Sequence, residues 1–184
     1  MAGAALGWAA LACGRELGPA LSDGQHVLLM RHADAPGVGD PPGFRLGDCS
    51  SQRNLGAAGR EQARAVGRWL RARGLAQARV GSSPWCRCLE TAQLLDYGAV
   101  QADDSLASFF GDSRQAASRT AALQAFIARL LAQPGAPLPL LVTHQVNLSA
   151  YAGGFAASAE LLLVRVDPAG RPLDVQRHAP PALS

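Results

Sequence analysis

The chain has 184 residues, of which 48% are hydrophobic, and its formal net charge is only +3. This length predicts one main domain with its own core, and the apolar content excludes a chain that is disordered throughout. A net charge this small argues against a nucleic-acid-binding protein, but it is compatible with a small anionic substrate.

The N-terminal segment, residues 1–24, is predicted to be separate from a domain that spans 25–184. Its first 13 residues, MAGAALGWAALAC, are apolar but too short to cross a membrane, so no stable membrane span is expected. They fit the apolar part of a signal peptide, although no Lys or Arg precedes them. They equally fit a helix that packs on the domain. The location therefore stays open between the cytoplasm and export to the periplasm.

The four cysteines are Cys13, Cys49, Cys86 and Cys88. No C-x-x-C pair is present, so a structural zinc site is not expected. If the protein is exported, Cys49 can form a disulfide with either Cys86 or Cys88.

Strands and helices alternate along residues 25–184. A buried strand, HVLLMR at 26–31, is followed by a Gly/Pro-rich loop at 34–54, and a loop of that length is often functional. The later predicted elements are a helix at 57–74 capped by Gly74, a strand at 78–82, a helix at 82–95 with Pro84 in its first turn, a loop or extended segment at 99–112, a helix at 117–133, a strand at 138–143, a helix from Asn147, and strands at 160–166 and 173–177. This alternation predicts an α/β three-layer sandwich with a mostly parallel central sheet flanked by helices.

Two predicted strands end in a histidine, His32 after HVLLMR and His144 after LPLLVT. Because ligand sites in open α/β sheets form outside the carboxyl ends of the strands, we expect both histidines in one crevice. Arg31 precedes His32, and Arg87 enters from the same edge at the start of the helix after 78–82. Two arginines, two histidines and a helix N-terminus make a pocket suited to a phosphate dianion.

Three motifs in this order resemble the histidine phosphatase superfamily, which includes the phosphoglycerate mutases and the small phosphohistidine phosphatases. They are L-M-R-H-A at 29–33, S-S-P-x-x-R-x-x-E-T-A at 82–92 and V-T-H at 142–144. The stretch L-G-x-x-G-R-x-Q-A at 55–63 is also similar to the first-helix signature of the family. The resemblance implies a phosphoglycerate mutase-like fold.

The resemblance further implies that His32 attacks phosphorus and carries a phosphohistidine intermediate. Arg31 and Arg87 would hold the phosphoryl oxygens, and His144 would donate another hydrogen bond to them. Neither a metal nor an organic cofactor is expected. The leading hypothesis is a phosphomonoesterase, monomeric or homodimeric, that acts on a small phosphorylated substrate. The alternatives are a phosphatase of phosphohistidine proteins and a non-catalytic phosphate-binding member of the same fold.

The sequence departs from the family at the general acid, because Ser108 stands where many members carry a glutamate. Serine has no pKa useful for proton donation, and the loss argues against a mutase. Asp34, Asp104 and Asp112 are candidate replacements, with Asp112 preferred because it is near in sequence.

Three further residues are predicted to bind substrate. Arg45 and Arg53 lie in the loop that follows the nucleophile, and such a loop often selects the substrate. Gln145 adjoins His144 at a helix start. The alternatives are that the loop only covers the sheet edge and that Gln145 only caps its helix. The arginines of the 57–74 helix, at positions 60, 64, 68 and 71, are predicted to form an ordinary solvated face.

Overall fold

The computed structural model describes residues 17–18 and 23–183. Its six strands are β1 (His26–Arg31), β2 (Arg79–Ser82), β3 (Val100–Ala102), β4 (Pro139–Thr143), β5 (Leu161–Val166) and β6 (Pro172–His178), and they form one sheet in the order β3-β2-β4-β1-β5-β6. The first four strands in chain order are mutually parallel. Strand β5 is antiparallel to both of its neighbours, so five of the six strands point the same way.

In the described part of the chain, four α-helices cover the sheet: α1 (Ala57–Ala72), α2 (Cys86–Leu94), α3 (Ala116–Leu131) and α4 (Gln145–Ala152). Helix α2 begins later than predicted because Ser82 still belongs to β2 and Trp85 has an extended backbone, so Pro84 precedes the helix instead of lying in its first turn. Helix α4 begins at Gln145, before the predicted Asn147. The segment 99–112 contains β3 and one 3-10 turn.

The core lies on both faces of the sheet, as expected for strands covered on two sides. Along β1, Leu28 and Met30 pack into one cluster with residues of α1 and α2, whereas Val27 and Leu29 pack into the other cluster with residues of α3 and α4. This alternation follows from the two-residue period of a strand. The predicted α/β sandwich with a mostly parallel sheet is confirmed.

Helix α1 approaches the turn after β1 very closely at Gly59. A Cβ atom at this position would lie 1.9 Å from the carbonyl oxygen of Asp34, which is backbone and cannot move aside easily. The amide of Gly56 donates to the same carbonyl at 3.3 Å. Gly74 has a φ of +89°, as predicted for the residue that ends α1. Gly59 therefore allows α1 to pack against the segment that follows His32.

The long loop at 34–54 is fastened to the start of α2. A disulfide joins Cys49 to Cys86, whereas Cys88 is a free, buried thiol. The buried Gln52 side chain accepts a hydrogen bond from the Cys86 amide at 3.0 Å and donates to two loop carbonyls. Phe44 packs against Trp85, with ring centroids 6.0 Å apart.

Most of the N-terminal segment, and with it the choice between a signal peptide and a packing helix, lies outside the described residues. Leu17 is described, and it is buried in the core beside α1 and β1. None of the helices in the described ranges has the length and apolarity that crossing a membrane requires.

Candidate active site

The carboxyl ends of β1, β2 and β4 meet at one edge of the sheet. The backbone hydrogen bonds between neighbouring strands continue past the strand ends. The His32 amide donates to the Thr143 carbonyl and the Ser83 amide donates to the Val142 carbonyl, both at 2.9 Å. The structure brings His32 and His144 together in the expected crevice, with ring centroids 5.5 Å apart.

His32 is buried, and one of its ring nitrogens is hydrogen-bonded to the backbone. Its Nδ1 lies 2.8 Å from the carbonyl oxygen of Ala33. A carbonyl can only accept a hydrogen bond, so Nδ1 carries the proton and Nε2 keeps its lone pair. Burial lowers the pKa of His32 from 6.5 to about 3, and the charges of Arg87, Arg31 and Arg53 act in the same direction. The ring is therefore neutral at physiological pH.

His144 is held deep in the site by polar neighbours. Its Nε2 is hydrogen-bonded to Ser83 Oγ at 2.7 Å and lies 3.4 Å from Cys88 Sγ. The ring also meets the Trp85 ring edge-on at 5.2 Å. Burial, followed by His32 and the nearby arginines, lowers the pKa of His144 well below its usual value. Burial also raises the pKa of the Cys88 thiol to about 12.

Arg87 forms a buried two-pronged ion pair with Asp40. Its Nη1 and Nη2 donate to the two carboxylate oxygens at 2.8 and 3.2 Å, and the side chains are only 4% and 8% exposed. The Asp40 carboxylate also accepts hydrogen bonds from the Arg53 amide and from Trp85 Nε1. Burial alone would raise the pKa of Asp40, but the hydrogen bonds and the Arg87 charge outweigh it and lower the pKa.

Arg53 and Arg31 are anchored by backbone carbonyls. Arg53 donates from Nε to the Gly39 carbonyl at 2.9 Å and from Nη1 to the Ala35 carbonyl. Arg31 donates from Nη1 to the Ala156 carbonyl at 2.8 Å. Burial lowers the pKa of both guanidinium groups, although they remain charged.

These side chains surround a cavity of about 170 Å³. Its lining consists of Arg31, His32, Gly37, Val38, Gly39, Asp40, Arg53, Arg87, Ser108, Phe110, His144, Gln145 and Val146. The three guanidinium groups give the cavity a positive lining, with Asp40 as the one carboxylate among these residues. Within residues 17–18 and 23–183, no three His, Cys, Asp or Glu side chains are grouped as metal ligands would be.

The family profile described as histidine phosphatase superfamily (branch 1) matches residues 27–136, which is more than half of the chain. The chain belongs to the histidine phosphatase superfamily. No curated protein sequence matches it significantly.

Solved structures of histidine phosphatases share this fold. The protein histidine phosphatase SixA in complex with tungstate is 20% identical, with a TM-score of 0.57, 84% of this chain covered and 94% of that chain covered. A putative phosphohistidine phosphatase SixA from Agrobacterium tumefaciens is 22% identical, with a TM-score of 0.55 and coverages of 85% and 99%. A mycobacterial glucosyl-3-phosphoglycerate phosphatase is 17% identical, with a TM-score of 0.60 and coverages of 76% and 92%. Identities this low show a common fold and nothing finer.

Arg45, one of the residues predicted to bind substrate, lies away from the cavity. Arg45 forms a surface ion pair with Asp48 at 2.6 Å, and its side chain is 74% exposed. Arg53 and Gln145 line the cavity, but Gln145 mainly supports a neighbouring loop: its Oε1 accepts from the Ala156 amide and its Nε2 donates to Ser149.

The carboxylates predicted as general acids also lie outside the cavity lining. Asp112 caps a 3-10 turn and pairs with Arg114 at 2.7 Å, and these hydrogen bonds lower its pKa. Asp34 uses its backbone to bind Gln62 and Gly56, and Asp104 begins another 3-10 turn. Ser108, in contrast, lies in the cavity wall.

Asp40 and Thr91 are residues of the site whose roles sequence reasoning missed, whereas Asn147, like Gln145, flanks His144 at the predicted helix start. Thr91 Oγ1 accepts from the Ala33 amide at 3.1 Å and donates to the Arg87 carbonyl at 2.6 Å, which ties the nucleophile segment to α2. Asn147 donates to the Ala107 carbonyl at 2.9 Å beside Ser108. Thr91 was visible within the E-T-A motif, whereas no spacing marks Asp40 within its Gly/Pro-rich loop.

Proposed function

We propose that the protein hydrolyses phosphate monoesters through a phosphohistidine intermediate on His32. The observation that carries this proposal is the set of groups that line one cavity: three guanidinium groups, of Arg31, Arg53 and Arg87, together with His32, whose protonated Nδ1 leaves Nε2 with a free lone pair. A phosphoryl group supplies several acceptor oxygens and the negative charge that three arginines require.

In the first step, the lone pair of His32 Nε2 attacks phosphorus while the bond from phosphorus to the leaving oxygen breaks. The leaving group departs with that electron pair. Positive charge develops on the imidazole, and the hydrogen bond from Nδ1 to the Ala33 carbonyl stabilises it. The guanidinium groups stabilise the charge on the phosphoryl oxygens during the transfer.

In the second step, a water molecule attacks phosphorus on the phosphohistidine. The bond between phosphorus and Nε2 breaks, its electron pair returns to the ring, and inorganic phosphate leaves. Covalent catalysis of this kind divides one difficult displacement into two easier ones. The low pKa of His32 favours the neutral ring that the cycle needs at both its start and its end.

Among the described residues that line the cavity, none is a protonated carboxyl group that could serve the leaving oxygen. Ser108 occupies the usual place of the acid, and Asp40 is kept ionised by the donors that bind it. We therefore propose that the enzyme favours leaving groups that depart without a proton, such as those of aryl phosphates, acyl phosphates and phosphohistidine. General acid catalysis is typically worth about 10²- to 10⁴-fold, so alkyl phosphates are expected to react slower by about that factor.

A phosphatase of phosphohistidine proteins is the second candidate. The absence of an acid beside the described cavity favours it, because an imidazole leaves more readily than an alkoxide. Comparing kcat/KM for a phosphohistidine peptide with that for a phenyl phosphate of similar leaving-group pKa separates the two functions. A peptide advantage of more than about tenfold would assign the protein to this second class.

The mechanism is tested by His32→Ala. We expect this variant to lose turnover of an aryl phosphate but to retain measurable binding of vanadate, because the three arginines remain. Trapping of the unsubstituted protein should give an acid-labile, base-stable phosphoenzyme. Phosphoserine at Ser83 or Ser108, or normal turnover in His32→Ala, would overturn the mechanism.

The charge of the guanidinium groups is proposed to take the place of a metal. Treatment with EDTA is therefore expected to leave the turnover rate unchanged. A loss of activity that zinc or magnesium restores would contradict this part of the proposal.

A further inference from the structure

Exposed apolar side chains collect around the opening of the phosphate cavity. The described residues include six large apolar side chains that are exposed: Val38, Leu46, Phe110, Phe155, Leu173 and Leu183. Val38 and Phe110 line the cavity, and the Phe155 ring lies against the guanidinium of the cavity residue Arg31, 5.4 Å from ring centroid to Cζ. Single exposed apolar residues are ordinary, but a group around one opening indicates a contact surface. We refer to Val38, Phe110 and Phe155 as the apolar rim.

The backbone holds the apolar rim in place. Gly37 and Gly39 both have positive φ values, +93° and +69°, so the turn that presents Val38 depends on glycine at its two ends. This turn meets Phe110, because a Cβ atom on Gly39 would lie 3.8 Å from the Phe110 ring. On the other side, Arg177 donates to the Phe155 carbonyl at 3.0 Å.

The volume of the cavity limits the part of a substrate that it can enclose. Its volume is about 170 Å³, whereas pockets for drug-sized ligands have roughly 300 to 1,000 Å³. It accommodates a phosphoryl group and the first atoms of the leaving group, so a larger leaving group extends across the opening. There the substrate meets apolar side chains. Gln145, the one amide among the lining residues, already has both ends of its side chain hydrogen-bonded within the protein.

We infer that the site binds phosphate monoesters with an apolar group next to the phosphate, either alkyl or aryl, of which the aryl esters react faster, and that this group lies across Val38 and Phe110. The inference rests on the proposed phosphatase function and narrows its substrate class. A protein partner fits less well, because a stable protein interface buries about 1,200 Å² or more. Three rim side chains cannot supply that area, and Leu173 lies on β6 beside a different cavity.

The test measures binding without turnover. Calorimetric titration with n-alkylphosphonates from ethyl to octyl varies the apolar area while the phosphonate head stays the same. A fully buried methylene improves affinity about fourfold, so on a partly open rim we expect Kd to fall about twofold per methylene until the rim is covered. In Val38→Asn and Phe110→Ser this dependence on chain length should flatten.

Leu173→Ser is the matched control, because it removes an exposed apolar side chain away from the site. It should leave the dependence on chain length unchanged. A Kd independent of chain length in the unsubstituted protein, or an equal change in Leu173→Ser, would overturn the inference while the phosphatase function stood. Chain-length-dependent binding without any turnover of an aryl phosphate would instead reject the proposed function and leave only an amphiphile-binding pocket.

A further experiment distinguishes a substrate presented on a membrane from one that is dissolved. Sedimentation with vesicles that contain phosphatidic acid tests for a phosphate presented on a bilayer, whereas the alkylphosphonates test for a dissolved amphiphile. Binding of a phosphohistidine peptide at least tenfold tighter than that of octylphosphonate would assign the apolar rim to a protein partner and overturn the inference.

Discussion

The two walls of the cavity that contains His32 and the three arginines are held by different kinds of interaction. The histidine wall, His32 and His144, follows directly from neighbouring parallel strands, and backbone hydrogen bonds continue the ladder to His32 itself. The loop wall, residues 37–40 with Arg53, belongs to the Gly/Pro-rich loop, and its described contacts to α2 are made by side chains and by the disulfide between Cys49 and Cys86.

This difference shows where the site is sensitive to substitution. A backbone ladder tolerates most changes of side chain, because the hydrogen bonds do not depend on residue type. The loop wall depends on a few specific partners, above all Asp40 with Arg87, which are 47 residues apart in sequence. We therefore expect substitutions at the histidine wall to abolish turnover. Substitutions at the loop wall should weaken both the stability of the protein and its binding of the transition state.

Among variants that keep the histidine wall intact, the largest effect on kcat/KM is expected for Arg87→Ala. Removing a preorganised donor to the phosphoryl oxygens costs about 3 kcal/mol of transition-state stabilisation, or about a hundredfold in kcat/KM. It also leaves the Asp40 carboxylate buried without its cation, which lowers the free energy of unfolding. Kinetics on an aryl phosphate and denaturant unfolding measure the two effects.

The double variant Arg87→Ala with Asp40→Asn separates those two effects. Removing the negative charge should restore much of the lost stability, but it should not restore activity, because the phosphoryl donor is still missing. Recovery of kcat/KM in the double variant would mean that Arg87 acts only as a partner for Asp40, and the proposed role of Arg87 in catalysis would be wrong.

Removal of the disulfide between Cys49 and Cys86, which fastens the loop wall, should have the next largest effect. It should lower both the free energy of unfolding and kcat/KM. The two cysteines are 37 residues apart, and the chain-entropy treatment of such a loop gives a stabilisation of about 4 kcal/mol. Cys49→Ser should therefore unfold at lower denaturant concentration. Its kcat/KM should also fall, because Arg53 and Asp40 lose a constraint. Dithiothreitol should lower the stability and the kcat/KM of the unsubstituted protein to the values of Cys49→Ser, and it should leave the variant unchanged. If dithiothreitol affected both proteins equally, loss of the disulfide would not be the cause of the effect.

Acid should lower the free energy of unfolding of the protein through His32 in the histidine wall. Because the pKa of His32 is about 3 in the folded state and near 6.5 in the unfolded chain, the unfolded chain binds the proton more tightly between these values. Stability is therefore lost as the pH falls through this range, by about 2 kcal/mol at pH 5 from His32 alone. Urea unfolding at pH 7.5 and pH 5 measures the loss. His32→Gln should show a smaller loss, and an equal loss would mean that His32 is not buried in its neutral form.

The smallest effect is expected at the arginine face of α1. Arg64 contacts Glu61 at 3.7 Å, its side chain is 48% exposed, and it is not part of the cavity lining. Exposed ion pairs contribute about 1 kcal/mol or less, so Arg64→Ala should leave kcat/KM within about twofold of the unsubstituted value. A loss as large as that of Arg87→Ala would contradict the assigned position of the phosphate cavity.

Much of the histidine wall was predictable from the sequence by itself. Apolar runs at 26–31 and 138–143 indicate buried strands, and parallel strands place their carboxyl ends at one edge, so the meeting of His32 with His144 required no knowledge of long-range contacts. The motif around Arg87 predicted a helix start at the same edge. These features depend on short, periodic patterns that the chain carries locally.

Only the tertiary structure decided the partners of the loop wall. The loop has no periodicity, so nothing in the sequence distinguishes Asp40 from Asp34, or Arg53 from Arg45, as a residue of the cavity. The disulfide partner follows from helix geometry: residues two apart differ by about 200° around an α-helix, so Cys86 faces the loop while Cys88 faces His144. Asp112 was preferred for its nearness in sequence, but distance along a loop does not set distance in space, and the fold turns that carboxylate toward Arg114.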